Sequence, residues 1–202
     1  MERECLICKG HDFSVVFTEF DVDILCCRSC GHVCSAYEGE THYDGYFGYE
    51  SIAKGTHHWW DIAHRKMYDH FGSIFLAGKS GSLLDVGCGL GFFVKRCQQW
   101  PKWQVHGCEI SEQAVNFGRE ELDLPNLKSG LVEEAAYEKG SFDIITLWDV
   151  IEHLKEPDEL LSHLAALLKE DGLLFIHTPN APIQLMKARL KVALKGIHEG
   201  AH

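Results

Sequence analysis

Leu83-Leu84-Asp85-Val86-Gly87-Cys88-Gly89-Leu90-Gly91 is the stretch whose reading decides the fold. A short apolar run predicts a buried strand over Ser82–Val86, and the periodicity after the glycines predicts a helix over Phe92–Trp100. Strand, glycine turn and helix follow one another without a spacer. Glycines at such a turn let a ligand approach the backbone closely, because no Cβ stands in the way. The spacing is G-x-G-x-G, and Phe92 stands where a dinucleotide fold needs its third glycine, so a pyrophosphate pocket is disfavoured. Glu109 lies 18 residues beyond Gly91, in the next predicted strand, Gln104–Ile110. A carboxylate at a strand end of this kind can accept both hydroxyls of a ribose.

Outward from that loop the pattern alternates. Ahead of it, Trp60, Ala63, Met67, Phe71 and Ile74 recur at three- and four-residue steps, predicting an amphipathic helix over His57–Phe75 that Gly78-Lys-Ser-Gly81 ends. Behind it come a helix from Ser111, its N-cap, to about Glu121, and a strand over Phe142–Trp148. Pro157 opens a further helix that runs to Lys169. A strand over Gly172–His177 and a helix over Pro182–Lys195 follow. Strands alternating with helices predict a parallel α/β sheet, whose ligands bind beyond the carboxyl ends of the strands.

Composition excludes several classes. Apolar residues make up 46% and charged residues 24% of 202, ordinary for a chain that buries a core. No run approaches the roughly 18–20 apolar residues of a membrane span. The charged N-terminus lacks a secretory h-region, which leads us to expect a cytoplasmic protein. The chain carries 19 basic against 30 acidic side chains, with nine acidic and three basic in residues 1–45. Only residues 181–202 are net basic, at +3. That balance disfavours nucleic acid, whose binding relies on Lys and Arg.

Six of the nine cysteines lie in the first 34 residues. Cys5-Leu-Ile-Cys8 and Cys27-Arg-Ser-Cys30 are two C-x-x-C pairs with 18 residues between them, the spacing of a zinc ribbon. A two-residue spacer aims both sulfurs at one ion, and two such knuckles complete a closed, structural four-thiolate site. Cys26 can replace Cys27, and Cys34 or His32 can substitute in the second knuckle. A redox dithiol or plain buried cysteines are the competing readings, but about 35 residues hold too little core to fold unstapled. Gly10 and Gly31 are expected to turn the chain away after each knuckle. A hairpin of Phe13–Phe20 and Val22–Leu25 is expected between them.

Asp85-Val-Gly-Cys-Gly-Leu-Gly resembles motif I of the class I S-adenosylmethionine-dependent methyltransferases. Phe142-Asp-Ile-Ile-Thr-Leu-Trp-Asp-Val-Ile-Glu-His-Leu is similar to the fourth-strand motif of the ubiquinone-biosynthesis-type, small-molecule branch of that family. The resemblance covers about residues 57–195, and a ribbon-like segment ahead of it is similar to bacterial methyltransferases of sugar and secondary metabolism. It implies a Rossmann-like, mostly parallel sheet with helices on both faces. With the ribbon read from the cysteine spacing at 1–35 and a Gly/Tyr-rich linker read from composition at 36–56, the resemblance implies a cofactor-binding domain at 57–202 that is C-terminally incomplete. Carried over, Gly87, Gly89 and Gly91 become backbone contacts to S-adenosylmethionine (or its product S-adenosylhomocysteine), and Asp85 orients its amino group. Glu109 takes the ribose, Ile110 packs on the adenine, and Trp148 and Asp149 flank the methionine part. The loop Leu131-Val-Glu133-Glu134 lies by the adenine. The family's sheet has seven strands, so its last two are expected beyond residue 202 or from a partner, and an oligomer stays open.

The resemblance leaves the acceptor open. A hydroxyl nucleophile generally needs a base, and His153, in the run Asp149-Val-Ile-Glu152-His153, is the expected candidate at the substrate mouth. Orienting the loop is the competing role for His153, and a divalent ion on Glu152 and His153 is a weaker one. No Asn-Pro-Pro-Tyr segment or Pro-Cys pair follows the fourth strand, which favours O- or C-methylation of a small molecule. The rivals are a ribosomal-RNA methyltransferase with a zinc module and a non-catalytic cofactor sensor. Tyr43–Tyr49 reads as a lid or as an aromatic linker, and His57-His58 as a helix start.

Overall fold

The structure, a computed structural model, describes residues 3–19, 21–37, 58–183, 185–187 and 190. The chain divides into two compact units, residues 1–41 with 180–202 and residues 42–179.

In the first unit β1 (Phe13–Glu19) and β2 (Val22–Cys27) pair as an antiparallel hairpin, with Asp21 left-handed (φ 61°) at the tight turn. Phe20 of the expected hairpin lies outside the described residues. A third strand, β3 (Val33–Ser35), adds antiparallel to β2 and had no counterpart in the sequence reading.

The second unit opens with α1 (His58–Phe75). The chain then runs through β4 (Gly81–Val86), α2 (Phe92–Cys97), β5 (Trp103–Glu109), α3 (Glu112–Glu121), β6 (Leu127–Ser129) and β7 (Phe142–Trp148). A single 3-10 turn (Ile151–His153), α4 (Pro157–Leu167) and β8 (Leu168–His177) complete it. All five strands from β4 to β8 pair in parallel, in the order β6-β5-β4-β7-β8. The order reverses beside β4, the place where such sheets open a crevice for ligands.

Side chains alternate between the two faces of a strand, and the core divides on that parity. Leu84, Val86, Ile145 and Leu147 face one way and meet Leu160, Leu164 and Leu167 of α4. Leu83, Ile144 and Trp148 face the other way and meet Phe71 of α1 with Phe93 and Cys97 of α2. A third cluster joins Cys88 and Val94 to Val115 of α3 and to Leu124 and Leu127. Helices therefore cover both faces, as expected. Asp85 and Thr146 share the α1 face with Leu83 and Ile144, by the same parity.

Boundaries differ in informative places. The helix expected to Trp100 stops at Cys97, because Gln98, Gln99 and Trp100 donate three residues back instead of four, tightening the chain ahead of Pro101. β5 spans Trp103–Glu109 and not Gln104–Ile110. α4 ends at Leu167, short of Lys169, since Leu168 already pairs with Phe142. β8 thus starts four residues earlier than the expected Gly172 and accommodates a bulge before pairing resumes at Ile144–Leu173. Of the helix expected over Pro182–Lys195, residues 181–183, 185–187 and 190 are helical. The remainder, His57, and the linker from residue 38 with Tyr43–Tyr49 lie outside the described residues.

Candidate active site and cysteine centre

The loop between β4 and α2 is built from left-handed backbone. Gly87, Gly89 and Gly91 have φ of 71°, 52° and 87°, values that L side chains rarely adopt. At Gly87 a Cβ would also stand 2.5 Å from Val150 Cγ2. The loop is fastened to the next strand, since Gly87 N and Cys88 N both donate to the Cys108 carbonyl at 2.8 and 3.1 Å.

Glu109 ends β5 and is 7% exposed. One carboxylate oxygen accepts from Gly89 N at 2.9 Å and the other from Ser111 N at 3.0 Å. Ser111 in turn caps α3, its hydroxyl accepting from Ala114 N. Ile110, between them, is 43% exposed and presents apolar surface beside the loop. Glu133 and Glu134, after β6, are exposed.

Asp85 lies beneath the loop, 2% exposed, and accepts from Thr146 Oγ1 at 2.7 Å. Burial pushes its carboxyl up to about 8; the Thr146 hydrogen bond opposes this and the Glu109 charge adds to it. Trp148 closes the α1 face of the site, packed edge-on to Tyr68 at 4.9 Å and tilted against Phe93 at 5.2 Å. Its Nε1 is buried and, among the described residues, has no acceptor. Such a donor is costly unless something accepts from it.

Asp149 follows Trp148 and is left-handed (φ 54°). Strict alternation would turn it away from the Trp148 side of the sheet. The left-handed backbone breaks the alternation and brings it to His64 of α1 (3.1 Å) and His177 of β8 (2.8 Å). His153 and Glu152 are exposed on the 3-10 turn, and Glu152 accepts from Thr178 Oγ1. Three residues of this cluster escaped sequence reasoning: His64, Tyr68 and His177. The signal was faint. His64 stands one and four residues from the apolar positions Ala63 and Trp60, a spacing that does not by itself single it out. Tyr68 stacks on His64 at 5.8 Å. Burial, then the Asp85 and Asp149 charges, keeps its hydroxyl protonated.

In the first unit the Sγ atoms of Cys5, Cys8, Cys27 and Cys30 all lie within 4.8 Å of one another. Cys5–Cys30 and Cys8–Cys27 are 3.6 and 3.5 Å apart. A tetrahedron of thiolates about 2.3 Å from a zinc ion has edges of about 3.8 Å, so the donor set fits that ion. The two knuckles are built alike: Lys9 N and Gly31 N donate to the Cys5 and Cys27 carbonyls, and Cys5 N and Cys27 N to the Gly10 and His32 carbonyls. Gly31 is left-handed as expected, but in the first knuckle that role falls to Lys9 (φ 59°) and not to Gly10. A Cβ at Gly10 would crowd Ser29 Oγ and Cys8 Sγ at 3.2 and 3.3 Å. The amides of Cys30 and Ser29, against burial, pull the Cys27 thiol down to about 6. Cys26 and Cys34 are not in the group, and Cys26 Sγ donates to the Cys27 carbonyl.

The profile of a family described as "Methyltransferase domain" matches residues 59–198, more than half of the sequence. The chain belongs to the methyltransferase domain family. Ubiquinone biosynthesis O-methyltransferase of Cupriavidus pinatubonensis is 30% identical over 148 residues, 65% of this chain and 57% of its own length. Its namesake from Burkholderia orbicola is 31% identical over 144 residues, covering 62% and 59%. The chain thus spans under three fifths of the length of these curated relatives. In fold it is similar to a Methanococcus maripaludis structure described as an S-adenosyl-L-methionine-dependent methyltransferase (TM-score 0.58, 13% identity, 81% of this chain and 75% of that one). It is also similar to the [4+2]-cyclase SpnF (TM-score 0.51, 24% identity, 58% and 45%). The Rossmann-like architecture follows from these likenesses; the second shows that the fold alone does not fix the reaction. No described helix is long and apolar enough to cross a membrane.

Proposed function

We propose that the protein is an S-adenosylmethionine-dependent methyltransferase that O- or C-methylates a small molecule, such as a sugar or secondary metabolite. The observation that carries the reading is Glu109, a buried carboxylate at the end of β5 whose two oxygens face the amides of Gly89 and Ser111 at the reversal of strand order. The relatives named as ubiquinone O-methyltransferases support a small hydroxylated acceptor. In this reading Glu109 accepts from the ribose hydroxyls, and Gly87, Gly89 and Gly91 leave room for the ligand against the backbone. Ile110 lies on the adenine, and Asp85 faces the amino group. Trp148 and Asp149 border the methionine part. When bound, S-adenosylmethionine supplies an electrophilic methyl group on its sulfonium. His153, exposed beyond β7, is one candidate to take a proton from the acceptor. The ribbon at 1–35 holds structural zinc on Cys5, Cys8, Cys27 and Cys30, the linker spans 36–56, and the catalytic domain begins at 57. A cytoplasmic, nucleic-acid-independent enzyme completes the proposal, the net −6 charge of residues 1–45 arguing against an RNA clamp.

Calorimetry with S-adenosylhomocysteine tests the binding half. Incubation with methyl-labelled S-adenosylmethionine and a small-molecule cell extract tests transfer. Micromolar binding with label in a new product is expected. No binding by the full chain sinks the enzyme reading, and binding without transfer to any extract component leaves a cofactor sensor.

A further inference from the structure

The cluster that the glycine loop does not use is His64, Asp149 and His177. Its three members come from α1, the end of β7 and the end of β8. β7 and β8 pair Trp148 with His177, and β4 pairs Val86 with Leu147, so His177 lies level with the first residue of the glycine loop, two strands away. A carboxylate only accepts hydrogen bonds. His177 therefore donates from Nδ1 to Asp149 Oδ1, and His64 donates from Nε2 to Asp149 Oδ2. As neutral imidazoles the two would hold opposite tautomers, and His177 would then carry its lone pair on Nε2, directed away from the aspartate. Its side chain is 32% exposed against 12% for His64, so it is the more accessible of the pair. Trp148 lies against the His177 ring at 5.4 Å, and Asp149 N donates to the His177 carbonyl at 2.9 Å, fixing ring and backbone together. The left-handed Asp149 is strained backbone of a kind that clusters at functional sites.

We propose that His177 is the general base for a hydroxyl acceptor, with Asp149 and His64 as the residues that position it. The assignment rests on the methyltransferase reading and narrows its acceptor class to an alcohol or phenol. His177 Nε2 takes the hydroxyl proton as the acceptor oxygen bonds to the methyl carbon. The carbon–sulfur bond breaks, its electron pair stays on sulfur, and the sulfonium becomes a thioether. The products are a methyl ether, S-adenosylhomocysteine and one proton, held first on His177 beside the Asp149 carboxylate and then released to water. His64 fills the second carboxylate oxygen, so Asp149 cannot rotate away from His177.

Long-range 15N spectra of the full chain labelled at histidine test the geometry without a substrate. They are expected to show His177 as the Nδ1–H tautomer and His64 as the Nε2–H tautomer, with His177 losing its preference in Asp149→Ala. His177 found as Nε2–H in the wild type overturns the proposal. With labelled donor and cell extract, the product is expected to be a methyl ether; a methylamine or a C-methyl product overturns it. On that acceptor His177→Gln is expected to lose 10²–10⁴-fold in turnover while S-adenosylhomocysteine affinity stays within twofold. Loss confined to His153→Ala, with His177→Gln fully active, returns the role to His153. Failure of S-adenosylhomocysteine to bind the wild type refutes the methyltransferase reading itself, a result distinct from all of these.

Discussion

Asp85 makes a stability prediction that needs no ligand. Burial raises its carboxyl from an ordinary 3.8 to about 8, so the folded protein holds a proton there that the unfolded chain releases. The stabilising contribution is fully present below pH 3.8, declines as pH rises, and is gone once pH passes about 8. Each pH unit in that window costs about 1.4 kcal/mol, so raising the pH from 5 to 7 removes on the order of 3 kcal/mol. Asp85→Asn cannot ionise, yet its amide oxygen still accepts from Thr146. Its NH2 group adds a constant cost of about 1–3 kcal/mol if it lacks an acceptor, which displaces the curve without changing its slope. Metal release and titrations remote from Asp85 are common to both proteins and cancel in the difference. Chemical or thermal unfolding of both proteins at pH 5, 6, 7 and 8 should therefore show the variant gaining on the wild type. For a chain of this size the relative gain in Tm between pH 5 and 7 is roughly 5–10 °C. Parallel stability curves would refute the argument, because they would mean that Asp85 is as easily ionised folded as unfolded.

Glu109→Ala should weaken S-adenosylhomocysteine binding by about 10²–10³-fold, two charged hydrogen bonds to the ribose being lost, and calorimetry measures it. Glu109→Gln keeps one acceptor oxygen and can satisfy only one of the Gly89 and Ser111 amides, so it should weaken binding less than Glu109→Ala. Protein purified without chelator should contain about one zinc per chain by elemental analysis. Cys27→Ser or Cys30→Ser should bring it below half, and less than half in the wild type would count against the ribbon. Gly72→Ala should destabilise by about 1–3 kcal/mol or more, read as a lower Tm, because a Cβ there would fall inside the Trp100 ring, which sits after α2.

Legibility followed the range of the forces involved. Ser111 as N-cap and Phe142–Trp148 as a strand rest on neighbours in sequence, and both stand where the residues put them. Elements that depend on partners distant in sequence were harder. β3 is three residues long and exists because β2 offers an edge, so its composition carries little strand signal. The early start of β8 depends on Leu168 finding Phe142 across the sheet. In the site, Glu109 and the glycines were visible because a turn and a strand end impose fixed spacings. His64 and His177 were not, since they meet through Asp149 across separations of 85 and 28 residues. The left-handed duty of Lys9 was hidden for another reason: composition favours glycine for such backbone, whereas the position is set by the hydrogen bond from Lys9 N to the Cys5 carbonyl, which repeats that from Gly31 N to Cys27.

The double grip of Glu109 on Gly89 and Ser111 has a kinetic and entropic consequence. It ties the loop after β4 to the start of α3, so the backbone that meets a ligand is already ordered when the ligand arrives. Ordering a residue costs about 1–2 kcal/mol of backbone entropy, and here folding has absorbed that cost for the loop. Preorganisation of this kind appears as a high association rate with little conformational gating. Cutting the grip should slow arrival as well as hasten departure, a signature that the loss of ribose contacts alone would not produce.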